Sequence, residues 1–258
     1  MTNAEGSLRS RVGAGESLLG CFLTWPSPGV AELLATAGFD FLVLDCEHGF
    51  FSIESVETMV TACDAARIPA VVRAPSATSD QVGRYLDAGA AGTLLPRIDG
   101  ADSARGAIGN VKFAPLGRRG LGGVRANRYG GLPLDRFVTE QNEGTLVAVQ
   151  IETPGALVEL EGIASIPAVD VLYVGPNDLS QALGIPGNYQ DSRYTEAVER
   201  VAGAAASTGR AAGIMLRSRD QIPPLAKLGY RFFTTSDRAL VLESARAWRA
   251  ALPRGRNL

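Results

Sequence analysis

Phe41-Leu42-Val43-Leu44-Asp45-Cys46-Glu47-His48-Gly49 begins as an apolar run of strand length and ends in two carboxylates and an imidazole at a glycine turn. Such a run predicts a buried strand, and a buried strand that ends on charged groups delivers chemistry to a surface. His48 is the single histidine of the chain. A lone histidine beside two acids is also consistent with a satisfied polar cluster, so its role depends on the rest of the sequence.

Moving outward, the same pattern recurs. Ser17 to Thr24 precedes the opening stretch as a strand, and Pro28 to Ala37 reads as a short helix closed by Gly38. Ser52 is a cap for a helix through Ala65, with Ile53, Val56, Met59, Val60 and Cys63 on one face. Ser55 stands at the third position of that helix, so no full capping box is expected. Further strands are predicted over Ile68–Arg73, Ala91–Pro96, Thr145–Glu152, Val169–Gly175, Ala211–Leu216 and Arg231–Thr235. Helices are predicted between them over Thr78–Ala88, Ala101–Asn110, Ala156–Ile163, Tyr194–Thr208 and Ser218–Leu228, with a last one over Asp237–Leu252. Phe113 to Glu143 interrupts the pattern with six glycines, as an active-site loop or a subunit contact would.

Eight mostly apolar strands alternating with helices indicate parallel βαβ units, which close most naturally as a (β/α)8 TIM barrel. A doubly wound open sheet is the alternative. The glycines near Gly117 do not have GxGxxG spacing and follow no buried strand, which argues against a dinucleotide fold. With 258 residues and 46% hydrophobic content, residues 1–258 are expected to form one domain.

The formal net charge of −2 includes no basic stripe, so a small metabolite rather than nucleic acid is the expected partner. No apolar stretch reaches the roughly 18 residues of a membrane span and the N-terminus lacks an apolar targeting core, so a cytoplasmic protein is expected. Cys21, Cys46 and Cys63 are odd in number and lack CxxC spacing, as packing residues would be. Lys112 and Lys227 are the only lysines among 25 basic residues, which disfavours Schiff-base chemistry.

In a barrel the C-terminal strand ends share the face that carries the active site. Glu47 and His48 follow the second strand, Arg73 ends the third, Glu152 ends the fifth, and Asp178 lies just past the sixth. Glu152 and Asp178 are candidate ligands for Mg2+ or Mn2+, hard cations that keep part of their water shell. The plainer alternative is that these two acids pair with Arg73 or cap helices. A helix starting at Pro176 would offer the free backbone N–H groups around it, those of Gly175 and Asn177 but not the proline itself, to a substrate carboxylate, and Arg73 adds planar paired donors.

Asp45-Cys-Glu-His-Gly, Val71-Val-Arg73, Leu86-Asp-Ala-Gly-Ala, Gly117-Arg-Arg-Gly, Gln150-Ile-Glu152-Thr and Val174-Gly-Pro-Asn-Asp178-Leu-Ser occur in this order. In them the chain resembles the HpcH/HpaI class II aldolase family from about Gly20 to Trp248. The resemblance implies a metal-dependent lyase, using Mg2+, Mn2+ or Co2+, that cleaves or forms a 4-hydroxy-2-oxo acid with pyruvate and an aldehyde as the small-molecule partners. It also implies a homo-hexamer, a trimer of dimers with an exchanged C-terminal helix. The rivals are a related lyase on CoA thioesters, a decarboxylating cousin, and a keto-acid-binding barrel without activity.

Carried over by residue, the resemblance makes Glu152 and Asp178 the metal ligands and Arg73 the partner of the pyruvate enolate. His48 becomes part of the base and Asp87 its paired aspartate, while Asp45, Glu47 and Gln150 stand behind them, Gln150 also near the substrate. Ala114-Pro-Leu-Gly117 and Phe50-Phe51 depart from the family pattern. Met215, Leu216, Phe50 and Phe51 are candidates for the wall of the aldehyde pocket. Asp87 closes a helix that returns to the bottom of the barrel whereas His48 is at the top, so Asp87 is expected to act in a neighbouring subunit; the alternative, disfavoured by the sign of the helix dipole, is that it caps the C-terminal region of its own helix.

Overall fold

The computed structural model describes residues 6–252. Strands β1 (Leu18–Leu23), β2 (Phe41–Asp45), β3 (Ala70–Arg73), β4 (Gly92–Leu95), β5 (Leu146–Ile151), β6 (Val171–Val174), β7 (Ala211–Met215) and β8 (Tyr230–Ser236) run parallel in sequential order. β8 pairs back onto β1, with Leu18 opposite Phe232 and Phe22 opposite Ser236. The sheet is therefore a closed (β/α)8 barrel and the open-sheet alternative falls.

The helices are α1 (Leu8–Gly13), α2 (Pro28–Thr36), α3 (Ile53–Ala65), α4 (Val82–Asp87), α5 (Ala101–Gly109), α6 (Leu134–Gly144), α7 (Pro154–Val158), α8 (Leu160–Ala164), α9 (Pro176–Ala182), α10 (Ser192–Thr208), α11 (Ile222–Lys227) and α12 (Asp237–Ala251). None is long and apolar enough to cross a membrane.

Strand periodicity sorts the apolar residues into two layers. Leu42, Leu44, Val72, Leu95, Val147, Val149, Leu172 and Ile214 face outward and pack with the helices. Phe22, Phe41, Val43, Val71, Leu94, Ala148, Tyr173 and Phe232 face the lumen and fill it. Phe41 stacks on Phe232 with ring centroids 4.3 Å apart, and its ring occupies the space a Cβ at position 20 would need, so Gly20 is required there. Because each strand alternates faces, the lumen-facing row continues at the top of β2, β3 and β5 into Asp45, Arg73, Gln150 and Glu152.

Several local expectations are corrected. The N-terminal lead-in contains α1, whose Leu8 and Val12 pack against the lumen-filling residues. Ser55 does complete a capping box, since its hydroxyl accepts from the Ser52 N–H at 2.8 Å while Ser52 accepts from the Ser55 N–H. Serine has a short side-chain acceptor that can close the box in place of glutamate. The segment 113–143 is not all loop: α6 begins at Leu134, and Phe137 packs with Phe113 and Ala126 in a small separate core. α4 begins at Val82 rather than at Thr78, because hydroxyls of the Ser76–Ser79 turn bond locally, Ser79 accepting from the Gln81 N–H. The helix expected over Ala156–Ile163 is two short ones that meet at Glu159. Cys21 and Cys63 are buried in the outer core, as packing residues.

Candidate active site

The opening stretch and Arg73 form the rigid side of the site. Asp45 and Arg73 are register partners on neighbouring strands. Arg73 donates from Nε to Asp45 Oδ1 at 2.9 Å and from Nη2 to Oδ2 at 2.6 Å, a bidentate pair with Arg73 8% and Asp45 1% exposed. Asp45 Oδ1 also accepts the N–H groups of Glu47 and His48, at 3.1 and 3.0 Å, which shapes the turn after β2. Burial pushes the Asp45 carboxyl up, but the Arg73 hydrogen bonds and charge with the two amides outweigh it and hold the group below its ordinary range.

Arg73 Nη1 lies 3.0 Å from Glu47 Oε2, and its guanidinium sits 5.0 Å from the centre of the Phe22 ring. Of its five N–H donors, these contacts leave one on Nη1 and one on Nη2 for a substrate. The His48 residue is exposed and makes no side-chain hydrogen bond among the described residues. It is therefore accessible at the mouth.

Glu152, at the end of β5 two strands round the barrel from Arg73, forms the other side and is 3% exposed. Its Oε1 accepts the Arg97 N–H at 2.9 Å and its Oε2 accepts from Gln150 Nε2. Arg97 holds the left-handed conformation at φ 51°, an unusual state for a non-glycine residue that aims its N–H at the carboxylate. Burial raises the Glu152 carboxyl to about 7, with Asp178 and Glu47 adding to the rise against the Arg97 and Gln150 hydrogen bonds. Glu47 is raised too, by burial first and by Asp45 and Asp178, with Arg73 and His48 opposing.

Asp178 lies in the first turn of α9, partly exposed. Its carboxylate accepts no hydrogen bond among the described residues, and α9 has no side-chain cap. The plainer alternative for the acids is thus removed: Arg73 is taken by Asp45 and Glu47, and Asp178 caps nothing.

These residues fit a hard divalent cation. Glu47, Glu152 and Asp178 repel one another, and among the described residues the cationic groups that act on Glu47 are Arg73, 3.0 Å away, and His48, with neither paired to Glu152 or Asp178. Gln150 Oε1 is buried without a partner among the described residues. No group of three or more His, Cys, Asp or Glu side chains able to hold a metal ion occurs among those residues, so a cation here would rest on fewer protein ligands and keep part of its water shell. A Cβ at Gly175 would collide with Glu152 Oε2. Gly175→Ala is accordingly expected to lose about 1–3 kcal/mol of stability and to weaken divalent-cation binding; unchanged Mg2+ titration by calorimetry would refute that placement.

The other expected residues divide. Asp87 is not brought to His48 within one chain; it accepts from Arg119 Nη2 at 2.7 Å and stays partly exposed. Leu216 and Phe51 pack in the outer core and do not line the lumen, whereas Met215 packs with the lumen residues and Phe50 is exposed. Lys112 Nζ donates to the carbonyls of Asn142 and Thr145 below β5, and burial lowers it to about 8. It sits at the end of the barrel opposite the carboxylates, so it is no Schiff-base lysine for them. Arg97 was not singled out from the sequence, because its contribution is a backbone conformation that no side-chain pattern reveals.

Residues 18–235 match the model of the HpcH/HpaI aldolase/citrate lyase family. A hydroxypyruvate/pyruvate aldolase of Paraburkholderia phytofirmans is 36% identical, with 98% of each chain covered. A 4-hydroxy-2-oxovalerate aldolase of Rhodococcus jostii is 34% identical over 85% of each. The crystal structure of an HpcH/HpaI aldolase/citrate lyase family protein from Burkholderia cenocepacia is 34% identical and superposes with a TM-score of 0.88, covering 96% of this chain and 98% of that one.

Proposed function

Because this chain belongs to the HpcH/HpaI aldolase/citrate lyase family, we propose that it is a class II, divalent-metal-dependent aldolase that reversibly cleaves a 4-hydroxy-2-oxo acid to pyruvate and an aldehyde. The observation that carries the reading is the combination at the barrel mouth: two carboxylates, Glu152 and Asp178, lacking a cation of their own, and an Asp45-clamped arginine with donors to spare.

Glu152 and Asp178 would hold Mg2+, Mn2+ or Co2+, which would supply Lewis-acid polarisation of the substrate 2-oxo group. Arg73, fixed by Asp45, directs its two remaining N–H groups to the oxygen that gains charge as the C3–C4 bond breaks. His48 takes the 4-hydroxyl proton as the aldehyde forms, and the electron pair of the broken bond becomes the enolate of pyruvate. His48 returns that proton to C3 of the enolate, which gives pyruvate and restores the base. Gln150 keeps Glu152 in place, and the backbone N–H groups of Gly175 and Asn177, on either side of Pro176, receive the substrate carboxylate.

Asp87 supports His48 from a neighbouring subunit in a homo-hexamer built as a trimer of dimers. The exposed Val241, Leu242 and Trp248 on α12 support exchange of that helix, since only Asp237 of it is buried. Incubation with pyruvate and a set of aldehydes tests the function. Adduct should form, disappear with EDTA and return with added divalent cation. Binding of pyruvate without any product would favour the non-catalytic keto-acid receptor instead.

A further inference from the structure

The lumen-facing row of β7 runs Ala211, Gly213, Met215, with Ala211 and Met215 packed among the residues that fill the barrel. The next position of the same parity, two residues past the buried lumen row, is Arg217. It stands on the face of the barrel that carries Glu152 and Asp178. Its guanidinium carbon is 3.7 Å from the centre of the Tyr189 ring, and the Tyr189 hydroxyl donates to Asn177 Oδ1 at 2.6 Å. Asn177 directly precedes Asp178. The stack therefore ties Arg217 to the first turn of α9, one residue from a proposed cation ligand.

Arg217 is exposed and has no carboxylate partner among the described residues. Asp191 pairs with Arg193 at 2.8 Å, and Asp220, three residues on, accepts from the Ser218 hydroxyl and forms no ion pair with Arg217. An arginine held flat on an aromatic ring loses little freedom when it binds a further group, and its planar edge suits a carboxylate or a phosphate. The acids of the mouth, Glu47, Glu152 and Asp178, favour a cation at its rim, and Arg217, with no bonded carboxylate among the described residues, keeps its guanidinium edge open to a negative group on the ligand.

Resting on the aldolase reading above, we propose that Arg217, seated on Tyr189, is a specificity-determining residue that selects aldehydes carrying an anionic terminus. The 2-oxo acid half of the substrate is held by Arg73 and the carboxylate side of the site. The aldehyde half then extends past α9 toward β7, where Arg217 meets its distal charge.

Three aldehydes of comparable length separate the possibilities: succinic semialdehyde with a carboxylate, glyceraldehyde 3-phosphate with a phosphate ester, and uncharged butyraldehyde. The wild type should favour at least one anionic aldehyde over butyraldehyde in kcat/KM, and whichever is favoured identifies the anion. Arg217→Leu should lower that preference by about ten-fold, the size expected for one charged hydrogen bond at an exposed site, mainly through KM. Arg217→Lys should retain part of it. A wild type without preference, or a variant that loses both classes equally, overturns the proposal. Metal-dependent exchange of the pyruvate C3 protons with D2O needs no aldehyde and reports the aldolase reading separately. Its absence together with absence of adduct would overturn that reading, and this proposal with it.

Discussion

Glu152→Gln is expected to abolish useful turnover while making the metal-free protein more stable at alkaline pH. The two effects have one origin. The ionised carboxylate is buried beside Glu47 and Asp178 and titrates at about 7, above the ordinary value near 4.3 for glutamate. For an acid raised in the folded state, the associated stability is fully present below the unfolded pKa and is lost as pH rises through the folded one. In the absence of a cation, the fold therefore weakens between about pH 4.5 and 7, by on the order of 3 kcal/mol.

Glutamine removes that charge with its shape kept. Its amide oxygen still accepts the Arg97 N–H, and Gln150 can turn to offer Oε1, the buried atom that now lacks a partner, to the new amide N–H. Melting in EDTA at pH 8 should rise by several degrees in the variant, and by less at pH 5. In the wild type, Mg2+ should raise the melting temperature more at pH 8 than at pH 5, whereas the variant should show little response. Loss of the Lewis acid should lower kcat/KM roughly 10^3-fold, equivalent to about 4 kcal/mol. An equal Mg2+ shift in both proteins would remove Glu152 from the ligand set.

Arg73 carries the second large effect, and two substitutions separate its parts. Arg73→Ala leaves Asp45, 1% exposed, and Glu47 without their cation, which should destabilise by about 3–5 kcal/mol. On the proposed mechanism it also deletes the donors aimed at the developing enolate, worth about 2.7–4 kcal/mol, or roughly 10^2- to 10^3-fold in kcat. Arg73→Lys keeps a charge for Asp45 but has no planar fork to hold Asp45 and Glu47 and still present two N–H groups. The lysine variant should stay folded with kcat about 10^2-fold down. Near-normal kcat in folded Arg73→Lys would end the enolate assignment.

Much of this site was readable because its residues terminate apolar strands. Arg73 ends Val71-Val72, and Glu152 follows Gln150-Ile151, so their place at the C-terminal face followed once eight strands were counted. What Arg73 contacts was not readable. Its choice of Asp45 over Glu152 or Asp178 comes from the register between β2 and β3, a relation between residues 28 apart. The same is true of Asp87, whose Arg119 partner lies on the glycine-bearing segment that broke the pattern. α1 escaped notice because Leu8 and Val12 make one helical repeat, too short to register as periodicity.

By itself the sequence determined the eight alternating strand and helix units, the strand ends that carry charge and the residue types available there, because burial periodicity and strand ends are local properties of the chain, whereas closure of the sheet required the pairing of β8 with β1. The tertiary structure decided which charges pair and which are left without a partner. It placed Asp45 against Arg73, bent Arg97 so that its amide holds Glu152, brought Glu47 within the field of both proposed ligands and set Arg217 on Tyr189. Those outcomes depend on strand register, on one left-handed backbone angle and on distances across the lumen, which are fixed only when the sheet closes.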